Sequence, residues 1–173
     1  MTKVINFFGE PGSGKTTTAL GLSYYAKLEG FSVEYVSQIS RKLSYLGLLK
    51  ENIRVKNLID KVDWIVTDSP VLLSYIYADN QDVITRRHVL DFHRKLDNVN
   101  FLLERDQCRV EDKHDWIEEM LLIEKIPFIR IRRREVDKNW FYNILSMMRE
   151  QFITDQCNNI HYHNKLRPDM ITS

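Results

Sequence analysis

The sequence lacks the features of secreted and membrane-bound proteins. Cys108 and Cys157 are the only cysteines among 173 residues, which is too few for a disulfide framework and suits a reducing cytosol. No apolar run is long enough to span a bilayer. The chain enters its first apolar segment at once, leaving no room for a signal peptide. We therefore expect a cytoplasmic protein with no membrane partner.

The sequence also lacks an excess of charge of either sign. With 25 basic and 24 acidic residues its formal net charge is +1, so no overall field attracts nucleic acid, and such a contact would need a local patch. There is no internal repeat and no low-complexity linker. The hydrophobic fraction of 43% and the charged fraction of 28% are typical of a soluble globular chain. The length predicts one domain over residues 1–173, as a monomer or a homodimer.

One stretch carries a specific motif. Residues 9–16 read Gly9-Glu10-Pro11-Gly12-Ser13-Gly14-Lys15-Thr16 and match G-x-x-x-x-G-K-[ST] at every fixed position. Residues 3–8 before it read as a short buried strand, and residues 16–28 after it read as a helix. A strand, a glycine-rich loop and a helix are the setting in which this motif binds phosphate. The alternative is a chance glycine turn before a helix.

The residue types of the motif explain its chemistry. Glycines let the loop curl so that consecutive backbone N–H groups point at phosphate oxygens, and the start of the helix, including Thr17, adds partial positive charge. Lys15 can reach the β- and γ-phosphates, and the Thr16 hydroxyl is placed to ligate Mg²⁺. The sequence therefore predicts a site for a nucleoside triphosphate, which we take as ATP, with Mg²⁺.

Apolar segments alternate with helical patterns along most of the chain. This alternation predicts an α/β fold with a parallel sheet, whose ligands lie beyond the carboxyl ends of the strands. The tail from residue 154 has little pattern. The predicted strands are 3–8, 31–36, 62–67, 99–103 and 127–131, and the predicted helices are 16–28, a broken one over 39–60, 71–77, 83–96, 116–124 and 140–152.

Asp68 is the next candidate for chemistry, because it directly follows the apolar run Trp64-Ile65-Val66-Thr67. A carboxylate at the end of a strand beside a phosphate loop can hold Mg²⁺, directly or through water. It can also accept a proton from a substrate hydroxyl. The alternative is a helix N-cap, since Asp before Ser-Pro is good capping chemistry. The two roles are compatible.

Polar residues after the second and fourth strands are further candidates. Gln38 could bond a base edge or a sugar hydroxyl, and Arg41 could hold a phosphate or carboxylate, although both also suit a solvated helix start. Arg105 and Arg109 lie in a charged stretch without hydrophobic period, expected to be a lid over residues 104–115. Such a lid would clamp the transferring phosphate and exclude water. The alternative is a solvated loop with surface ion pairs.

A basic run of four arginines begins within the fifth predicted strand and extends beyond its end. It could contact the nucleotide base or a nucleic-acid phosphate chain. More often such a run is a solvated strand end, and Glu135 and Asp137 dilute its charge. The run consists of Arg130, Arg132, Arg133 and Arg134.

Four segments together resemble a known family. The G-E-P-G-S-G-K-T loop, S-Q-I-S-R-K-L after the second strand, T-D-S-P after the third and F-L-L-E-R after the fourth occur in a familiar order. Over about residues 1–131 they resemble small P-loop proteins common in bacteriophage genomes, often described as AAA or ATP-binding proteins. These are similar to ribosylnicotinamide kinases and deoxynucleoside kinases. The resemblance implies a P-loop NTPase fold of the nucleoside and nucleotide kinase type, with a five-stranded parallel sheet and a lid, working in the host cytoplasm if phage-encoded.

One departure from that family bears on mechanism. Relatives often carry Glu where this chain has Gln38, and in nucleoside kinases a carboxylate after the second strand serves as the base. An amide cannot take a proton at neutral pH, so either Asp68 does that work or the reaction has changed or been lost. The segment 39–60 is also shorter than in relatives.

Three functions compete at this stage. The favoured one is a kinase in which Lys15, Asp68, Arg105 and Arg109 are catalytic and Gln38 and Arg41 bind a nucleoside-like or nucleotide-like acceptor. The second is a kinase or NTPase directed at nucleic acid, for instance at a modified base in phage DNA, which the neutral net charge disfavours. The third is an ATP-dependent switch or motor, the weakest because Ser69 follows Asp68 where a hydrolytic enzyme would carry Glu.

Overall fold

The computed structural model of the chain describes residues 2–37, 53–73, 83–104 and 116–165, with the backbone alone for 83–85 and 152–165. Its frame is a five-stranded sheet in which every pair of neighbours is parallel. The order across the sheet is β2-β3-β1-β4-β5. The predicted fold class is confirmed, with strand ends displaced by up to two residues. The strands are β1 (Lys3–Phe8), β2 (Val33–Val36), β3 (Trp64–Thr67), β4 (Asp97–Glu104) and β5 (Ile129–Arg132).

Helices connect and flank the strands. Residues 53–58 are also helical, and Arg133–Glu135 form a short 3-10 turn after β5. In the part of the chain that the structure describes, no helix is long and apolar enough to cross a membrane. The principal helices are α1 (Lys15–Leu28), α2 (Val83–Arg94), α3 (Trp116–Ile123) and α4 (Lys138–Lys165).

The sheet is buried through the alternation of side chains along its strands. Val4 and Phe8 of β1 each join a cluster of buried apolar side chains. Ile5 and Phe7 point the other way, and there the Phe7 ring stacks on Phe101 of β4 at 5.5 Å between centroids. Both faces of β1 therefore carry buried apolar side chains, which is why β1 reads as a nearly continuous hydrophobic run.

A glycine follows the end of helix α1, two residues after Leu28. Gly30 has φ of +86°, its N–H donates to the Lys27 carbonyl at 3.1 Å, and the Phe31 N–H donates to the Ala26 carbonyl at 3.0 Å. This pair of bonds is the Schellman motif, which needs a left-handed residue after the last helical one. A Cβ at Gly30 would meet nothing within 4 Å.

The final helix is longer than the sequence predicts. Contacts divide the chain into Met1–Val136 and Asp137–Ser173, and α4 is the helix of the second unit. It starts beside Asp137, whose carboxylate accepts the Trp140 N–H at 2.8 Å and so caps it. The predicted helix over 140–152 is confirmed, but its predicted end at residue 152 is wrong, because α4 continues to Lys165. The prediction relied on an apolar repeat, whereas a helix is held by its backbone hydrogen bonds and can outlast that repeat.

A partly buried chain of amides joins β1 and β4. Asn6 Nδ2 donates to Asn98 Oδ1 at 2.9 Å and to Asn100 Oδ1 at 3.0 Å, and Asn98 Nδ2 donates to the His93 carbonyl at 2.6 Å. His93 on α2 is buried. Burial, assisted by the charge of Arg94, lowers its pKa to about 4.

Candidate functional site

The candidate site lies at the carboxyl edge of the sheet. Since all five strands are parallel, their carboxyl ends meet at one edge, where ligands of such sheets bind. There β1 runs into the loop of residues 9–14 and then into α1, β3 is followed by Asp68, and β5 is followed by Arg133. Topology alone brings these three segments to the same edge.

The loop has the curled backbone that the motif requires. Gly9, Gly12 and Gly14 have φ of +140°, +82° and +96°, values that residues with a Cβ rarely adopt. The Ser13 N–H donates to the Glu10 carbonyl at 3.1 Å, and the Thr18 N–H donates to the Gly14 carbonyl at 2.9 Å. The second bond begins α1, so the loop leads directly into a helix N-terminus, where backbone N–H groups and the helix dipole attract anions.

Gly9 is required for packing as well as for backbone conformation. A Cβ placed there would lie 2.5 Å from the Leu103 carbonyl oxygen of β4 and 2.7 Å from Ser13 Oγ. Both distances are shorter than van der Waals contact. The sheet order explains the first of them, since β1 and β4 are neighbours and Leu103 lies just beyond the residue paired with Phe8.

Lys15 lies across the loop. Its ammonium donates to the carbonyl oxygens of Gly9 at 2.7 Å and Glu10 at 2.8 Å. These bonds place a positive charge beside the N-terminus of α1. An anion bound in the loop would therefore meet the ammonium and the backbone N–H groups together.

Thr16 and Asp68 are brought together across the space between α1 and β3. Thr16 Oγ1 donates to Asp68 Oδ2 at 2.5 Å, and Asp68 is 8% exposed. A hydroxyl and a carboxylate are the hard oxygen donors that Mg²⁺ prefers beside substrate phosphates, so these two residues fit Mg²⁺. Within the described ranges, no three His, Cys, Asp or Glu side chains form a metal-binding group.

Tyr35, which is not singled out by the sequence, comes to the same edge on β2, the strand beside β3. Burial, the charge of Asp68 and an interaction with its carboxylate, in that order, raise the pKa of Tyr35. That interaction is loose, because within the described residues neither Tyr35 Oη nor Asp68 Oδ1 makes a hydrogen bond of ordinary geometry. An unpaired buried polar group costs about 1–3 kcal/mol.

Arg133 is a second residue that approaches the loop. Its side chain passes so near that a Cβ on Gly14 would lie 3.6 Å from both its Cδ and its Nε. The guanidinium therefore lies beside the positive end of α1, an unfavourable place for a cation unless an anion is also present. In the sequence, Arg133 is one residue of a basic run and nothing distinguishes it from its neighbours.

Another arginine of the run is held in ion pairs. Arg130 donates to Glu104 at 2.7 Å and also to Glu118. Glu104, at the end of β4, is thus held by an arginine rather than left to serve as a base. Two arginines of the basic run are therefore in different surroundings. Arg130 forms ion pairs on the surface, and Arg133 lies beside the phosphate loop.

Four predicted site residues lie outside the described residues. These are Gln38, Arg41, Arg105 and Arg109, and the predicted lid over 104–115 is described only at Glu104, the last residue of β4. Their roles stay predictions. The site described here therefore consists of the loop, Lys15, Thr16, Asp68, Tyr35 and Arg133.

Comparisons with known proteins bear on the fold. No family model matches the chain, and no curated protein matches its sequence. Among solved structures, it is similar to the Mycobacterium tuberculosis APS kinase CysC in complex with AMPPNP and APS, with a TM-score of 0.53 and 12% identity over 86% of this chain and 98% of that one. A variant of the same enzyme gives a TM-score of 0.52 at 12% identity, over 86% and 97% of the two chains.

These similarities define a class of fold. At 12% identity they establish the arrangement of strands and helices alone. The chain has the fold of a P-loop kinase, with a glycine loop of matching motif at its carboxyl edge. The narrower resemblance to phage-type P-loop proteins stays a prediction.

Proposed function

We propose that this protein is an ATP-dependent phosphotransferase. It would move the γ-phosphoryl group of ATP to a hydroxyl or phosphate of a nucleoside, a nucleotide or a similar small molecule. The observation that carries the proposal is the 2.5 Å hydrogen bond from Thr16 to Asp68 beside the phosphate loop. It joins a loop that binds triphosphate to a buried carboxylate at the strand edge, the two parts that phosphoryl transfer requires. The complex of the similar CysC structure holds AMPPNP and APS, which is consistent with this class.

Each described residue then has a separate task. The loop N–H groups and Lys15 bind the β- and γ-phosphates. Thr16 and Asp68 would hold Mg²⁺, which when bound neutralises charge on the phosphates. Asp68 also accepts the proton of the acceptor hydroxyl. As that proton leaves, the hydroxyl oxygen of the acceptor attacks the γ-phosphorus, the bond between the γ-phosphorus and the β–γ bridging oxygen breaks, and ADP is released. Arg133 adds positive charge on the nucleotide side of the loop.

The function is tested by following ADP release with and without acceptors. A kinase should consume ATP slowly alone and much faster with the right acceptor, because productive closure waits for the substrate. A panel of nucleosides and nucleoside monophosphates, first ranked by thermal shift with Mg·ADP, provides the acceptors. Rapid hydrolysis without an acceptor would favour a switch, and stimulation by DNA or RNA alone would favour a nucleic-acid enzyme.

The role of Asp68 is tested by Asp68→Asn, which keeps the shape and removes the charge. Loss of a general base typically lowers the rate by about 10²–10⁴-fold, and weaker Mg²⁺ binding adds to that. Asp91→Asn, on the exposed surface of α2, is the matched control. If Asp68→Asn stays folded in a thermal melt and keeps near-normal turnover, Asp68 is only a structural residue.

A further inference from the structure

Tyr35 reaches the site through the pairing of β2 with β3. In that register Tyr35 lies opposite Val66 and Val36 opposite Thr67, and Asp68 is the next residue of the chain. An aromatic side chain near the end of β2 can therefore reach the carboxylate that follows β3. The Tyr35 hydroxyl and Asp68 Oδ1 are both buried, and each lacks a hydrogen-bond partner among the described residues.

The two oxygens of Asp68 are thus in unequal surroundings. Oδ2 is held by Thr16 at 2.5 Å, whereas Oδ1 is buried and has no hydrogen-bond partner among the described residues. A carboxylate held through one oxygen can still rotate about its Cβ–Cγ bond, and a second hydrogen bond would fix its plane. The Tyr35 hydroxyl is a buried donor without a partner among the described residues, and it comes from the strand paired with the one that Asp68 follows.

We propose that Tyr35 is a positioning residue for Asp68, whose Oδ1 accepts the Tyr35 hydroxyl when Mg²⁺ and nucleotide bind. Thr16 and Tyr35 then hold the two carboxylate oxygens from opposite sides, so that the lone pairs facing the phosphates have a fixed direction. This inference rests on the proposed function, because that proposal assigns Asp68 to Mg²⁺. It needs no knowledge of the phosphate acceptor.

The test measures ADP binding by isothermal titration with and without Mg²⁺. Partners that orient a metal ligand typically contribute about 10–100-fold to metal affinity. In Tyr35→Phe we expect the Mg²⁺-dependent gain in ADP affinity to fall about 10-fold, with Mg²⁺-free affinity unchanged. In an Asp68→Asn background, Tyr35→Phe should cause no further loss, since residues that act through one another are not additive. Tyr24→Phe, on the exposed surface of α1 with 61% of the residue accessible, is the matched control and should bind as wild type does.

A thermal melt separates positioning from a structural role. Removing a buried hydroxyl that has no partner should leave the melting temperature at or above that of the wild type. A marked drop, or an equal loss of affinity with and without Mg²⁺, would make Tyr35 a structural part of β2. A loss that persists in the Asp68→Asn background would show that Tyr35 acts on its own.

The failures of the two proposals differ in this assay. If Asp68→Asn loses the Mg²⁺-dependent gain and Tyr35→Phe keeps it, only the role of Tyr35 is overturned. If Asp68→Asn keeps the gain, or the wild type shows none, the Mg²⁺ assignment of Asp68 is overturned and the role of Tyr35 with it. Failure to transfer phosphate to any acceptor would count against the kinase alone.

Discussion

Replacing Gly9 by alanine tests why glycine is required at the start of the loop. The requirement comes either from contact with neighbouring atoms or from the backbone conformation alone. The new Cβ would lie 2.5 Å from the Leu103 carbonyl oxygen and 2.7 Å from Ser13 Oγ. The first of these atoms belongs to the backbone of β4 and cannot rotate away. To relieve the contact, the loop must shift away from β4, which also moves the N–H groups that would bind phosphate.

The matched control is Gly30→Ala. Gly30 also has positive φ, at +86°, but a Cβ there meets nothing within 4 Å. Its substitution carries only the backbone strain, about 1–2 kcal/mol. At Gly9 we expect about 1–3 kcal/mol of strain and a further 1–3 kcal/mol from overpacking. The difference between the two variants isolates the contact with β4.

Urea unfolding measures the free energy of unfolding of each variant. Isothermal titration with Mg·ADP measures how well the loop of each variant binds nucleotide. We expect Gly9→Ala to be the less stable variant and to bind Mg·ADP weakly, while Gly30→Ala binds it as the wild type does. Equal loss of stability in the two variants, with nucleotide binding intact in both, would refute the reasoning, because the loop would then tolerate a Cβ at the β1–β4 contact.

Three further predictions concern single charged groups. Lys15→Ala should weaken Mg·ATP binding roughly 10-fold to 100-fold, as expected for charge-assisted hydrogen bonds, measured by titration with a non-hydrolysable analogue. Arg133→Ala should weaken Mg·ADP binding roughly 2-fold to 5-fold, since an exposed charge contributes little. The folded pKa of His93, at about 4, lies below the ordinary 6.5. As the pH falls, the His93 imidazole is therefore protonated in the unfolded chain before it is protonated in the folded one. The free energy of unfolding, measured by urea titration, should fall by about 3 kcal/mol between pH 6.5 and pH 4.

Each of these predictions has a control. Two substitutions should leave nucleotide binding unchanged. The control for Lys15→Ala is Lys61→Ala, at an exposed lysine. The control for Arg133→Ala is Arg94→Ala, at an arginine whose guanidinium pairs with Glu124 at 3.3 Å. His93→Gln should flatten the pH dependence between 6.5 and 4, while the same change at exposed His88 should not. Unchanged affinity in Lys15→Ala would contradict the phosphate-loop assignment. A wild-type free energy of unfolding that stays constant from pH 6.5 to 4 would contradict the assignment of His93.

Much of the frame could be predicted from the sequence because its signals are local. A strand buried on both faces is a short apolar run, and the loop motif fixes the start of α1, so β1 and α1 were within reach of pattern alone. The end of helix α4 was not, since the part that continues to Lys165 follows no apolar repeat. A hydrophobic pattern reports a buried face, and the extent of a helix is a separate property.

Some residues of the candidate site could likewise be predicted from local sequence, and others could not. Lys15 and Thr16 belong to a contiguous motif, and Asp68 follows its strand directly, so sequence order alone identifies them. Tyr35 and Arg133 reach the site through the tertiary fold. The sheet order places β2, with Tyr35, beside β3. Arg133, directly after β5, lies close to Gly14. Such contacts depend on register between strands distant in sequence, and no local pattern contains it.

The distribution of unpaired polar atoms gives a reason, independent of the motif, to regard this edge as the functional one. Among the described residues, the buried side-chain atoms without a partner are Ser13 Oγ, Tyr35 Oη, Asp68 Oδ1 and Gln151 Oε1. The first three belong to the loop or to the pair beside it. Folding alone favours pairing every buried polar group, so polar atoms left without partners at one edge are most simply explained by hydrogen bonds that form when a ligand binds. Substitutions that remove such an atom should then weaken binding without weakening the fold, which is the behaviour we predict for Tyr35→Phe.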